Sequence, residues 1–259
     1  MAPFIPPFVF ALVLFVGMFL MLDVGRRLGI RRRSRESETE RTSLGTIEGA
    51  VFALFGLVVA FTFSGAISRF NEKRTLIAEE ANTVETAYLR LSLLPVKAQP
   101  ELQALFRQYI DSRLETYRNL PDMDKALAEM KLSKKLQKQI WVKSVAATQS
   151  SDAHVDAGKL LLPALNNMID ITTTRKMALQ THPPSVIYLL LFVLGLICSM
   201  LAGYRMANGR YRSWLHIMSF SLMTVVIAYV IVDVEYPRAG LIRLQGFDQS
   251  LMDVRDAMN

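Results

Sequence analysis

The stretch LGTIEGAVFALFGLVVAFTFSGAI, residues Leu44–Ile67, decides the fold class of this 259-residue chain, because Glu48 is its only charged residue. As a helix, this stretch would cross roughly 30 Å of hydrocarbon at about 1.5 Å per residue. Phe4–Leu22, Ser185–Tyr204 and Trp214–Val232 have similar lengths and carry no charge. The sequence therefore predicts an all-α, polytopic membrane protein with four transmembrane helices.

The composition excludes several other classes of protein. Hydrophobic residues make up 51% of the chain and charged residues 20%, which is too apolar for a disordered chain. The single cysteine, Cys198, cannot form an internal disulfide. The net charge of +7 could indicate a nucleic-acid binder, but the dense arginines lie beside apolar stretches and lack interleaved aromatic residues. We therefore expect no nucleic-acid partner.

Arginine is concentrated in two short loops, which predicts the orientation of the chain. Asp23–Ser43 contains seven arginines and Arg205–Ser213 contains three. Short loops rich in Lys and Arg stay in the cytoplasm, so both termini and the long segment between the second and third spans are expected outside. The same arginines could also contact anionic lipid headgroups. A cleaved signal peptide is the weaker interpretation of the first stretch, because the arginines follow it instead of preceding it.

The segment between the second and third spans is rich in helix-forming residues, which predicts a helical extramembrane bundle. The second span meets no breaker before Pro95, so its helix is expected to continue out of the membrane. Three further helices are predicted at about 100–120, 122–149 and 152–180. The predicted domains are 1–67 (spans 1 and 2), 68–184 (the helical bundle), 185–232 (spans 3 and 4) and 233–259 (a tail with an amphipathic helix).

The second span presents two different faces on a helical wheel. One face carries small residues that would let another helix approach closely: Gly49, Ala53, Gly56, Ala60 and Ser64. The other face is aromatic and apolar with a carboxylate at its cytoplasmic end: Glu48, Phe52, Phe55, Val59 and Phe63. The aromatic face could pack within the bundle or face lipid, with Glu48 capping the helix or pairing with a loop arginine. Alternatively, it could line a symmetry axis as a hydrophobic constriction that gates by dewetting.

Two carboxylates and an arginine follow the fourth span, at Asp233, Glu235 and Arg238. We expect an ion-paired collar at the outer membrane edge, with Arg74 or Arg90 as possible partners; an ion or proton site is the alternative. The three histidines lack metal-ligand spacing, and the sequence has no phosphate-binding glycine loop or nucleophile elbow. The sequence therefore predicts no catalytic residue, no metal site and no cofactor.

Two sets of motifs resemble the bacterial bestrophin-like domain family, whose function is unassigned. The first set comprises GAVFALFG at 49–56, FTFSG at 61–65, SRF at 68–70, EEAN at 79–82, AYLR at 87–90 and LP at 94–95. The second is DVEYPRAGLI at 233–242. The resemblance covers nearly the whole chain after the first span. It implies a multi-pass protein of the bacterial inner membrane and remote kinship to bestrophins, which are pentameric anion channels whose second span lines a hydrophobic neck. Bestrophins place their large domain in the cytoplasm, the reverse of the orientation that the arginines predict.

The leading hypothesis is a homo-oligomer, with a pentamer implied by the resemblance, that conducts ions along the second span. Anions are the expected permeant ions. One alternative is a non-conducting membrane protein whose extracytoplasmic helical domain binds a partner, a lipid or an envelope component. A third is an ion-coupled transporter that uses Asp233, Glu235 and Glu48. Membrane lipid and inorganic ions are the expected partners.

Overall fold

The computed structural model describes residues 6–32, 38–119, 122–207, 214–236, 241–242 and 248–258. Within these ranges the chain is helical and contains no strand, which confirms the all-α fold class. The helices in chain order are α1 (Pro7–Arg32), α2 (Glu38–Leu89), α3 (Gln99–Arg118), α4 (Met123–Thr148), α5 (Ala157–Gln180), α6 (Ser185–Met206), α7 (Trp214–Glu235) and α8 (Gln249–Asp256).

The chain divides into two compact units. The first contains Met1–Arg69 and His182–Ile242, and the second contains Phe70–Thr181 and Arg243–Asn259. The tail that the sequence placed at 233–259 is therefore divided between the two units. Four helical stretches, within α1, α2, α6 and α7, are long and apolar enough to cross a membrane, as the sequence predicted.

In the first unit, α1 and α6 pack unusually closely because glycines remove the side chains between them. A Cβ atom at Gly25 would lie 1.9 Å from the carbonyl oxygen of Met200, and one at Gly203 would lie 2.1 Å from that of Leu22. At such separations only glycine allows the two backbones to meet. The close helix contact within this subunit thus lies between α1 and α6, not on α2.

Helix boundaries in the second unit follow local breakers. The helix α2 ends at Leu89 instead of reaching Pro95, and a 3₁₀ turn, Arg90–Leu93, covers the interval. Asp122 caps the start of α4 by accepting a hydrogen bond from the backbone N–H of Lys125 at 3.2 Å. The helix α5 begins five residues later than its predicted start at 152 and continues through Pro163.

The core of the second unit is built from fully buried side chains of α3 and α5, such as Phe106, Tyr109 and Leu165. The apolar side chains of α8 join it, since Leu251 and Val254 are buried in the same cluster. An ion pair of 2.7 Å between Arg255 and Asp111 adds a contact between α8 and α3. Phe247, which the sequence places on the same stripe, lies outside the described residues.

Candidate functional site

The second span is the least covered of the four membrane-crossing helices. In its most apolar window only 11% of residues are buried within the chain, against 28% in the windows of α1 and α6 and 44% in that of α7. A helix that leaves one broad face uncovered inside its own subunit needs lipid or another subunit against that face. The span within α2 is therefore the candidate functional element.

The residues of the predicted pore-facing stripe of α2 have partners within the chain. Glu48 is buried and pairs with Arg205 of α6 at 2.9 Å, and the ring of Phe52 lies edge-on to Phe220 of α7 at 5.9 Å between centroids. Phe55 is also buried, so these three side chains face the interior of their own subunit.

The reason for this orientation is physical. The aromatic rings fill the space beside α6 and α7, and a carboxylate near the membrane interface is stabilised by a guanidinium partner. Val59 lies at the margin of this packed face and is half-buried, whereas Phe63 is exposed. The contacts of Glu48 and Phe52 and the burial of Phe55 agree with the packing interpretation of the stripe.

The uncovered face of α2 is the face with small residues. Gly49, Ala53, Gly56, Ala60 and Ser64 are all exposed within the chain. A Cβ atom at Gly49 or Gly56 would meet no other atom within 4 Å, and Gly56 stands at the edge of the stripe, where it also borders a cavity shared with the other spans. The close packing predicted for this stripe therefore stays a prediction, and most of the stripe is left uncovered by the rest of the chain.

Two bulky side chains stand on this uncovered face among the small ones. Leu57 is 52% exposed and Phe61 is 70% exposed. They are four residues apart, and Ala53 is four residues before Leu57, so all three lie along one side of the helix. The face therefore combines small residues with a narrow apolar ridge, and neither Leu57 nor Phe61 was singled out by the sequence.

The two carboxylates of the predicted membrane-edge collar have partners within the first unit. Glu235 is buried and accepts hydrogen bonds from Arg69 Nε, at 2.9 and 3.2 Å to its two oxygens. Arg69 Nη2 lies 2.8 Å from the same carboxylate, and His182 Nδ1 lies 3.2 Å from it. The His182 ring stacks on Tyr236 at 4.6 Å.

Asp233 has a separate role in the turn after α7. Its two oxygens accept hydrogen bonds from the backbone N–H groups of Leu241 at 2.9 Å and Ile242 at 2.8 Å. Of the predicted partners, Arg90 donates to the carbonyl oxygen of Leu160, and Arg74 stays a predicted partner. Arg238 lies outside the described residues.

These contacts bear on the transporter alternative. Glu48 and Glu235 are engaged by guanidinium groups, and Asp233 by backbone amides. Among the described residues no group of three or more His, Cys, Asp or Glu side chains is arranged to hold a metal ion.

The second unit contains a buried ionic cluster that the sequence analysis missed. Arg113 Nε donates to Glu80 at 2.5 Å, Arg175 donates to the other oxygen of Glu80, and the Tyr117 hydroxyl donates to it at 3.2 Å. Arg175 also lies 3.3 Å from Asp248, and its guanidinium stacks over the Tyr117 ring at 3.7 Å. The positive charges of Arg113 and Arg175 are therefore balanced by two negative charges, those of Glu80 and Asp248.

The electrostatics of the cluster follow from this pairing. Burial alone would raise the pKa of Glu80, but the guanidiniums of Arg113 and Arg175 outweigh it and lower that pKa to about 2. Burial opposes the charge on Arg113 as well, yet Glu80 raises its pKa above the usual value. The signal was present in the sequence, since Glu80 belongs to the EEAN motif, but its partners come from distant helices.

The chain is similar to known proteins over nearly its whole length. The family model described as the bestrophin-like domain matches residues 8–246. Solved structures of single-substitution variants of a bestrophin homologue from Klebsiella pneumoniae share the fold. One has a TM-score of 0.69 at 14% identity, covering 95% of this chain and 98% of that one. A second has a TM-score of 0.64 at 12% identity, covering 96% of each chain. No curated protein has a matching sequence.

Proposed function

This chain belongs to the bestrophin-like family, and from that premise we propose that it assembles as a homo-oligomer around an anion-conducting path lined by α2. Homologues in the family are anion channels. A pentamer is the stoichiometry that kinship to bestrophins implies. The bacterial inner membrane is the proposed location.

The observation that supports this proposal is the uncovered face of α2. It buries the smallest share of residues among the four spans, and its small residues suit close approach by a neighbouring copy of the same helix. Symmetry requires that such copies surround an axis. The side chains nearest that axis would then belong to the uncovered face, not to the packed aromatic face.

Leu57 and Phe61 are the side chains that we assign to the constriction. They are large, apolar and exposed within the subunit, and Ala53 precedes them at the same spacing. A ring of such side chains narrows a pore and makes its wetting unfavourable, which gates conduction without a moving plug. We do not assign Phe52 or Phe55 to this role, because the ring of Phe52 lies against Phe220 and Phe55 is buried within the chain.

The proposed orientation places the arginine-rich loops in the cytoplasm. Arg26, Arg27, Arg31 and Arg32 lie in the last turns of α1, and Arg205 lies in the last turn of α6. Because α1 and α6 run side by side from Gly25 and Met200 onward, these arginines collect at one end of the first unit. With that end in the cytoplasm, alternation of the four spans puts the segment between the second and third spans on the outer side of the membrane.

Currents through the purified protein in planar bilayers test the proposal. Under a chloride gradient we expect single-channel currents whose reversal potential follows chloride. Leu57→Ala and Phe61→Ala should raise the conductance because each widens the ring. Phe52→Ala is the matched control, since it removes an aromatic side chain from the opposite face of the same helix. The absence of current under chloride, nitrate and potassium gradients would refute conduction. Equal effects of Phe52→Ala and Phe61→Ala on the conductance would refute the pore assignment.

A further inference from the structure

The first unit contains an apolar cavity of about 140 Å³ on the side of α2 that faces the other spans. All four spans contribute to its wall. The lining residues are Leu14, Phe55, Gly56, Val59, Leu191, Thr224, Ile227, Ala228 and Ile231.

The cavity lies at hydrocarbon depth. Phe55 and Val59 are near the middle of the apolar stretch Leu44–Ile67, and Leu191 is seven residues into α6. These positions are several residues from either end of their spans, so they lie within the hydrocarbon core of the bilayer.

Water is a poor occupant of this cavity. Thr224 contributes the only hydroxyl among the lining side chains, and the rest of the wall is hydrocarbon or glycine. A buried water needs two to four polar partners, and a cavity of about 150 Å³ with a similar apolar lining stays dry and binds benzene or xenon. The apolar wall of the cavity therefore favours a hydrocarbon occupant over water.

The cavity exists because small residues occur where helices face each other across it. Gly56 has no side chain, and a Cβ atom there would meet nothing within 4 Å. Ala228, which is buried, ends at its Cβ atom on the α7 side. Leucine at position 228 would place three more carbon atoms in this space.

We propose that this cavity is a binding site for a hydrocarbon group of a few carbon atoms, supplied either by the end of a lipid acyl chain or by a free apolar molecule. The occupant contacts Phe55, Gly56 and Val59 from behind α2. Binding itself does not depend on the proposed channel function. The expected effect of binding on the current does depend on that function, because an occupant against α2 would alter the position of Leu57 and Phe61.

Bromine, located by its anomalous scattering in crystals of the full-length protein, tests the site. One arm uses phospholipid with brominated acyl chains, and the other uses lipid-depleted protein soaked with bromobenzene. A bromine peak bounded by Leu14, Val59 and Ile227 is expected. A peak in the lipid arm identifies an acyl chain as the occupant, and a peak only in the bromobenzene arm identifies a free apolar molecule.

Ala228→Leu should abolish the peak because it fills the cavity, while Val226→Leu, on an exposed position of the same helix, should keep it. No peak in either arm, ordered water inside the cavity, or a peak that survives Ala228→Leu would overturn the proposal. In planar bilayers, benzene should change the current of the wild type and of Val226→Leu but not of Ala228→Leu. If bromine binds but no current is ever recorded, the proposed function fails and the binding site stands.

Discussion

Replacing Glu80 with Gln should destabilise the second unit by about 3–5 kcal/mol, the usual cost of breaking a buried ion pair by removing one partner. The side chain of Glu80 is fully buried, and those of Arg113 and Arg175 are 5% and 4% exposed. The glutamine has nearly the same shape as the glutamate. The substitution therefore removes the charge without creating a cavity.

The expected loss of stability depends on the partners that Arg113 and Arg175 keep after the substitution. Arg175 keeps Asp248 at 3.3 Å, so its charge remains partly balanced. Arg113 keeps only the Tyr117 hydroxyl and ring among its contacts in the cluster, and its guanidinium is then a buried cation without a carboxylate. Most of the loss should fall on Arg113, and Arg113→Met combined with Glu80→Gln should recover part of it.

Chemical denaturation of the purified full-length protein, followed by circular dichroism, measures this effect. Glu79→Gln is the matched control, because Glu79 is the adjacent residue on α2 and is exposed. The control should lie within about 0.5 kcal/mol of the wild type. If Glu80→Gln is no less stable than Glu79→Gln, the reasoning about the buried cluster is refuted.

Acid provides a second test of the same carboxylate. The pKa of Glu80 is about 2 in the folded protein, below the ordinary value of 4.5. The stabilisation from its ionised form is therefore complete above pH 4.5 and disappears as the pH falls towards 2. The difference in stability between wild type and Glu80→Gln should shrink across that interval, and a constant difference would contradict the assigned pKa.

Three other predictions follow from the first unit and its orientation. Gly25→Ala should destabilise the protein by about 1–3 kcal/mol, because its Cβ would lie 1.9 Å from the Met200 carbonyl oxygen. Gly158→Ala, whose Cβ would lie 3.9 Å from Thr148 at ordinary contact distance, should not destabilise it, and thermal unfolding compares the two variants. Arg69→Gln should lower the stability by about 3 kcal/mol, because the buried Glu235 loses the guanidinium of Arg69. Arg27→Gln, at an exposed pair with Asp23, should lower it by less than about 1 kcal/mol, and the same unfolding assay measures both. A thiol at Lys135→Cys, in a Cys198→Ala background, should react with an impermeant reagent on intact cells, and protection there together with labelling between Arg26 and Arg41 would invert the orientation.

Much of the fold could be predicted from the sequence because it depends on local composition. Uncharged stretches such as Trp214–Val232 have the length of a membrane-crossing helix, and no tertiary information is needed to recognise them. Helix ends were predicted well where a breaker or cap marks them, as at Asp122. The start of α5 was not, because the turn residues before Ala157 carry no single decisive signal.

Periodicity alone could not predict which face of α2 meets the other spans. A helical wheel separates the aromatic stripe from the small-residue stripe, but it does not say which stripe meets α6 and α7. That depends on residues far along the chain, such as Phe220 and Arg205, which receive Phe52 and Glu48. The partners of Glu80 and Glu235 were missed for the same reason, since Arg175 and His182 are distant in sequence.

The central claim is that α2 lines a conducting path with its uncovered face. Its most direct test is current block in planar bilayers by a charged, impermeant thiol reagent, with single cysteines introduced in a Cys198→Ala background. Because Leu57 is exposed on that face and Phe52 packs against Phe220, the reagent should block current through Leu57→Cys and leave Phe52→Cys unaffected. Block of Phe52→Cys with no effect on Leu57→Cys, or conduction that neither variant alters, would contradict the claim.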